Sequence, residues 1–140
     1  MPRGIGYNIG REIVKRMAQT TTYMTSRVEV AGYSAILAME LGAAARERAK
    51  FVKMDVRNVS EVESMKDKIL KDFNGIDILV NNAAVYHCPD PCPTAFSKQV
   101  EDILGTNYWG TKNVVSAFFP YFKPHSRIVN ITSNLGDFMT

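Results

Sequence analysis

The chain has 140 residues, 46% of them hydrophobic and 22% charged, with two cysteines, a balance that excludes a disordered tail, a disulfide scaffold and a low-complexity repeat. Seventeen Lys and Arg against fourteen Asp and Glu leave a charge of +3, with no basic run of the kind that marks a nucleic-acid or membrane-binding tail. The opening MPRGIGYNIGRE has no apolar signal core and the longest apolar runs are broken at Glu40 and Pro120, so a cytoplasmic domain without nucleic-acid or membrane partners is expected.

The apolar period changes several times along the chain. Ile9, Ile13, Val14 and Met17 recur at helical spacing and predict a helix over 5–18. Thr21 to Ser26, β-branched and aromatic, predicts a short strand. Val28 to Arg48 is rich in Ala, Leu, Met and Glu and predicts helix, with Gly32 and Gly42 weakening its ends. Lys50 to Val56 reads as the next strand. Ser60 followed by Glu63 has the form of a capping box, and Val62, Met65, Ile69, Leu70 and Phe73 then share one helical face.

Asn74 and Gly75 stop that helix, and Ile76 to Val80 is an apolar run of the type expected for a parallel strand covered on both faces. A loop broken by prolines, His87 to Pro93, leads into a long helical pattern from Phe96 to Phe118. Pro120 and Pro124 end it, and Arg127 to Thr132 is the last predicted strand. Helix and strand alternate throughout, which argues for a doubly wound α/β fold with a parallel sheet. In such sheets ligands bind beyond the carboxyl ends of the strands, so the residues that close each strand are the candidates for function.

Gly4 and Gly6 precede the first helix, where a glycine-lined turn lets an anion approach the free N–H groups of a helix start. About twenty residues on, the position that reads the adenosine ribose in a dinucleotide fold is filled by Ser26 and Arg27. A hydroxyl and a guanidinium suit the 2′-phosphate of NADPH better than the bare 2′-hydroxyl of NADH. Asp55 closes the next strand, and Asn81-Asn82-Ala83-Ala84 the one after it. His87, Cys88 and Cys92 have the wrong spacing for a zinc knuckle and read as loop residues. His125 reads as a surface turn, and Phe118, Phe119, Tyr121 and Phe122 as core rather than a base-stacking platform.

Taken in order, GIG at Gly4 to Gly6, TSR at Thr25 to Arg27, MDV at Met54 to Val56, DILVNNAA at Asp77 to Ala84, TNYWGT at Thr106 to Thr111 and RIVNITSNLG at Arg127 to Gly136 resemble the short-chain dehydrogenase/reductase family. Within it they are most similar to the monomeric NADPH-dependent carbonyl reductases, whose loop into the long helix DPCPTAF also resembles. The resemblance implies a Rossmann-like domain that transfers hydride from NADPH to an aldehyde, ketone or quinone carbonyl. It implies that Arg3 and Arg27 bind the 2′-phosphate, that Gly4, Ile5 and Gly6 line the pyrophosphate turn, and that Asp55 and Val56 contact adenine. Asn82, Ala83 and Ala84 would pass the ribose, Asn81 would tie neighbouring strands, Asn107 would serve the catalytic proton relay, and Ser133 would hydrogen-bond the substrate carbonyl.

The same resemblance places a strand ahead of Gly4 and a Tyr-x-x-x-Lys pair after Ser133, and neither stands in these 140 residues. Tyr108 and Lys112 have the spacing but precede Ser133. The expectation is therefore a partial dinucleotide-binding domain over 1–140, lacking the first central strand and the C-terminal strands, and inactive by itself. The alternative is a non-catalytic truncated form that binds nucleotide or associates through its open sheet edge. Ala84 stands where the family has Gly, and a methyl there would crowd the ribose.

Overall fold

The computed structural model describes residues 5–17, 19–37, 41–87 and 92–133. In chain order the elements are α1 (Ile5–Arg16), β1 (Thr22–Ser26), α2 (Glu29–Leu37), α3 (Ala43–Arg48), β2 (Ala49–Lys53), α4 (Val59–Asp72), β3 (Ile76–Asn81), α5 (Phe96–Ile103), a π-helical segment (Leu104–Gly110), α6 (Thr111–Phe118), a 3-10 turn (Phe119–Tyr121) and β4 (Phe122–Asn130). The α/β alternation of the sequence is present. Among the described residues no helix is long and apolar enough to cross a membrane.

The boundaries that moved did so for local reasons. The Val28–Arg48 helix is two helices, α2 and α3. The helix after β2 is capped by Asn58, whose Oδ1 accepts from Ser60 N at 3.1 Å and Glu61 N at 3.4 Å, and not by Ser60 with Glu63. Glu61 completes this cap: one carboxylate oxygen accepts from Asn58 Nδ2 at 2.9 Å and the other from Asp55 N at 2.7 Å. Two orphan donors at the helix start are thereby satisfied, and the exit of β2 is tied to α4. Gly75 takes φ +115, a conformation a side chain rarely adopts, and a Cβ there would sit 2.5 Å from Tyr121 O. The helix stop is thus also the place where β3 meets the turn before β4.

The strands form two separate parallel pairs, β1 with β2 and β3 with β4. β4 begins five residues earlier than the sequence predicts, because Phe122 pairs with Ile76 before a bulge that resumes at Ile78 and Arg127. His125, at φ 66, lies in the extra residues of that bulge. Both pairs run in the same sense. At their amino ends Tyr23 Oη donates to Asp72 Oδ2 at 2.7 Å, its ring meets Phe73 edge-on at 6.5 Å, and Lys50 Nζ lies 3.4 Å from both Tyr23 Oη and Asp72 Oδ2. At their carboxyl ends Asn113 Nδ2 of α6 donates to Val56 O at 3.2 Å.

The core lies between the strands and the α4–α6 layer: Met54, Val56, Val62, Met65, Ile69, Val114 and Phe118 are buried together, with Ile76, Leu79 and Phe122 packed against them. Val62, at 1% exposure, is its most enclosed side chain. Phe119 is 66% exposed, so only part of the aromatic run Phe118 to Phe122 is core. The expectation that β3 is covered on both faces also fails, since Ile78 is 44% exposed and Ile128 and Val129 of β4 are each 40% exposed. The facing edges of β1 and β3 line one cleft of about 740 Å³, with α1 along it, and no described strand pairs with either edge.

Candidate active site

Most of the residues singled out at the strand ends line that cleft, whereas Asn107 and Ser133 are not among its lining residues. Ser26, Arg27, Asp55, Val56, Asn82, Ala83, Ala84, Val85 and Thr106 all line it. A Cβ on Gly10 would lie 3.3 Å from Asn82 Nδ2, which sets the first half of α1 beside the end of β3. Ile5 and Gly6 open α1. Arg3 and Gly4 lie outside the described residues.

Each strand end is shaped by local bonds. Met54 N donates to Ser26 O at 3.0 Å and Ile131 N to Asn81 O at 2.9 Å, carrying both parallel ladders one step past the strands. Asn81 Nδ2 donates to Asn130 Oδ1 at 2.9 Å, so Asn81 ties β3 to β4. Ser26 Oγ accepts from Val28 N at 3.3 Å and shapes the turn, which leaves exposed Arg27 as the strand-end cation. Asp55 stands two residues past the end of β2 rather than closing it. Its carboxylate is held below the ordinary range, first by the hydrogen bonds from Arg57 and, more weakly, by the charge of Arg27.

Asn107 lies in the middle of the π-helical segment, a geometry that interrupts the long helix predicted from the sequence. Its side chain clamps the loop after β3: Oδ1 accepts from Val85 N at 2.9 Å and Nδ2 donates to Val85 O at 3.0 Å. That pair of bonds mimics a strand partner and fixes the course of Asn82 to Val85 along the cleft. Ser133 follows β4 by three residues, is exposed, and sits past the rim bond made by Ile131. Tyr108 is 57% exposed, and Lys112 Nζ rests 4.9 Å over the Trp109 ring; neither is among the residues that line the cleft.

Sequence reading missed an ion-pair network on the same rim. Arg57 is bonded to Asp55, Asp102 receives Lys98, and His87 stands beside Asp102. The i, i+4 spacing of Lys98 and Asp102 and the i, i+2 spacing of Asp55 and Arg57 were the visible signals; the contacts of Arg57 and His87 with Asp102 are tertiary. Cys88 lies outside the described residues.

The geometry suits a dinucleotide. Thr106 is 3% exposed, and its Oγ1 is buried with no hydrogen-bond partner at the wall of the cleft. A buried hydroxyl of that kind is costly unless something polar meets it. Ala83 and Ala84, both exposed, line the same cleft.

Comparison with known proteins agrees. Residues 2–140 match the model of the short chain dehydrogenase family. Carbonyl reductase (NADPH) 3 of Rattus norvegicus is 32% identical over 134 residues, covering 96% of this chain and 47% of the relative. Among solved structures, serine dehydrogenase from Escherichia coli superposes with a TM-score of 0.77 at 26% identity, over 99% of this chain and 61% of that one. A closed form of serine dehydrogenase complexed with NADP+ does so at 0.73 and 28%, over 92% of this chain and 52% of that one. The chain spans about half the length of the curated relatives it matches, and with strand ends, cleft and motifs in agreement it belongs to the short-chain dehydrogenase family.

Proposed function

We propose that these 140 residues are the cofactor-holding part of an NADPH-dependent carbonyl reductase, acting on aldehyde, ketone or quinone carbonyls, and that they bind the dinucleotide without turning it over by themselves. The observation that carries the reading is the gathering of Arg27, Asp55, Asn82 and Thr106 on one cleft. Arg27, with Arg3, would hold the 2′-phosphate. Asp55 and Val56 would border the adenine, and Gly4 to Gly6 with the start of α1 would face the pyrophosphate. The backbone of Asn82 to Ala84, held in place by Asn107, would run beside the ribose.

When bound, NADPH would supply hydride chemistry at the carbonyl carbon, the carbonyl π electrons passing to an oxygen that would take up a proton. Ser133 would hold that oxygen by hydrogen bond, and Asn107 would belong to the relay that resupplies the proton. The proton itself needs a donor of matched acidity, worth about 100- to 10,000-fold in rate, and neither Tyr108 nor Lys112 is among the residues that line the cleft. Calorimetric titration with NADPH and NADH tests the reading. NADPH binding tighter than NADH, reversed by Arg27→Glu, supports it. Unchanged preference in that variant removes the 2′-phosphate role.

A second reading is favoured by the split sheet: a non-catalytic chain that associates with a full-length reductase through the facing edges of β1 and β3. Co-purification of the two differently tagged chains, lost when a proline interrupts β1 at Met24, is the expected result. Two monomers at micromolar concentration would rule it out.

A further inference from the structure

The ion-pair network beside the cleft joins three elements that the sequence keeps far apart. Arg57 stands in the turn after β2. Its Nε is 3.1 Å from both Asp55 carboxylate oxygens and its Nη2 2.7 Å from Oδ2, while its backbone N donates to Oδ1 at 3.0 Å. The same guanidinium places Nη1 3.7 Å from Asp102 Oδ1 on α5. Asp102 in turn accepts from Lys98 Nζ at 2.8 Å and lies 3.4 Å from His87 Nε2, in the loop after β3. The side chains of Asp55, Asp102 and His87 are each only 20 or 21% exposed. The stem of Arg57 runs over Gly105, where a Cβ would meet its Cδ at 3.6 Å.

A planar guanidinium with five donors can satisfy one carboxylate edge-on and still reach a second, which an ammonium cannot do. Asp102 therefore sits where it can set both the direction of Arg57 and the distance of the post-β3 loop. Two residues before His87, Val85 is held by Asn107, five residues after Asp102 in the same helical run. We propose that Asp102 is a positioning residue for the adenosine end of the dinucleotide: through Arg57 it holds the Asp55 carboxylate at the rim, and through His87 it holds the loop that follows Asn82. This rests on the cofactor reading above and adds to it residues that none of the matching motifs contains.

The test is the affinity of the 140-residue chain for 2′,5′-ADP, with NADPH and NADH in parallel. Asp102→Asn is expected to weaken 2′,5′-ADP and both dinucleotides by the same factor, about three- to fivefold, leaving the NADPH to NADH preference unchanged. Asp102→Glu should restore most of it. In an Arg57→Ala background the effect of Asp102→Asn should shrink to the part carried through His87, and Arg57→Lys should behave like Arg57→Ala. A purely structural role would lower thermal stability without this non-additivity. If the unaltered chain binds 2′,5′-ADP and Asp102→Asn changes nothing, or its effect adds to that of Arg57→Ala, the inference alone is overturned. If the unaltered chain binds neither 2′,5′-ADP nor NADPH, the cofactor reading falls and takes this inference with it.

Discussion

Gly110 offers a direct measure of how tightly the helix bearing Asn107 is seated on the strand end that carries Asp55. It is buried at the junction of the π-helical segment and α6. In an exposed helix, Gly→Ala would contribute about 1 kcal/mol of stability. Here the new Cβ would lie 2.5 Å from Val56 Cγ2, 3.1 Å from Val56 Cβ and 3.3 Å from Gly105 O. Carbon atoms rest at about 3.5–4.0 Å, so the closest overlap is about 1 Å. Val56 cannot easily yield, since it is 9% exposed and its carbonyl holds Asn113.

Overpacking costs about 1–3 kcal/mol, and an overlap of about 1 Å on a buried β-branched neighbour falls in the upper part of that range, about 2–3 kcal/mol, so the net loss after the helix gain is about 1–2 kcal/mol. For a chain of this size that lowers Tm by about 3–8 °C. Urea denaturation followed by circular dichroism measures it, and repeating the change in a Val56→Ala background isolates the contact. There the alanine should be neutral or stabilising, giving a coupling of about 1–3 kcal/mol. A Gly110→Ala protein as stable as its parent, or equal costs in both backgrounds, would refute the packing described between α6 and the end of β2.

Three further outcomes follow from particular bonds. Asn58→Ala removes the cap of α4 and should cost about 1 kcal/mol, while Asn58→Asp should keep most of it; equilibrium unfolding checks both. Asp55 has its folded-state pKa depressed, chiefly by the Arg57 hydrogen bonds, so its stabilising contribution is fully present above the ordinary carboxylate pKa of about 3.9 and is lost as pH falls through the lower folded value. Arg57→Ala should therefore lower stability at neutral pH and flatten its loss in the region just below that ordinary value, read by unfolding midpoints from pH 7 to 3. Asn107→Ala frees Val85 and should accelerate hydrogen exchange at Val85 N–H while leaving Val62 in the core protected.

Much of the fold was legible because its signals are local. The 3.6 spacing of Val62, Met65 and Ile69 became the buried face of α4, and Asn74-Gly75 became a stop because only glycine suits φ +115 against Tyr121. The order of the strand-end motifs was equally visible, since each lies within a few residues of the strand it closes. By contrast, Asn58 took the cap from Ser60 because Glu61 could also reach back to Asp55, a choice made by the neighbouring strand end. The start of β4 was hidden behind Pro124 and the bulge at His125, which no period describes.

From its residues alone the chain determined a parallel α/β alternation, the ordered strand-end motifs of the short-chain dehydrogenase family, and a guanidinium at Arg27 just past a strand end. Tertiary structure alone decided that the strands stand as two pairs across a cleft, that Asn107 grips Val85 from a π-helical segment, and that Arg57 links Asp55 to Asp102, beside which His87 stands. The division has a physical cause. Periodicity and turn chemistry act over a few residues, whereas edge pairing and ion-pair geometry depend on which distant segments the burial of Val62, Val114 and Phe118 draws together.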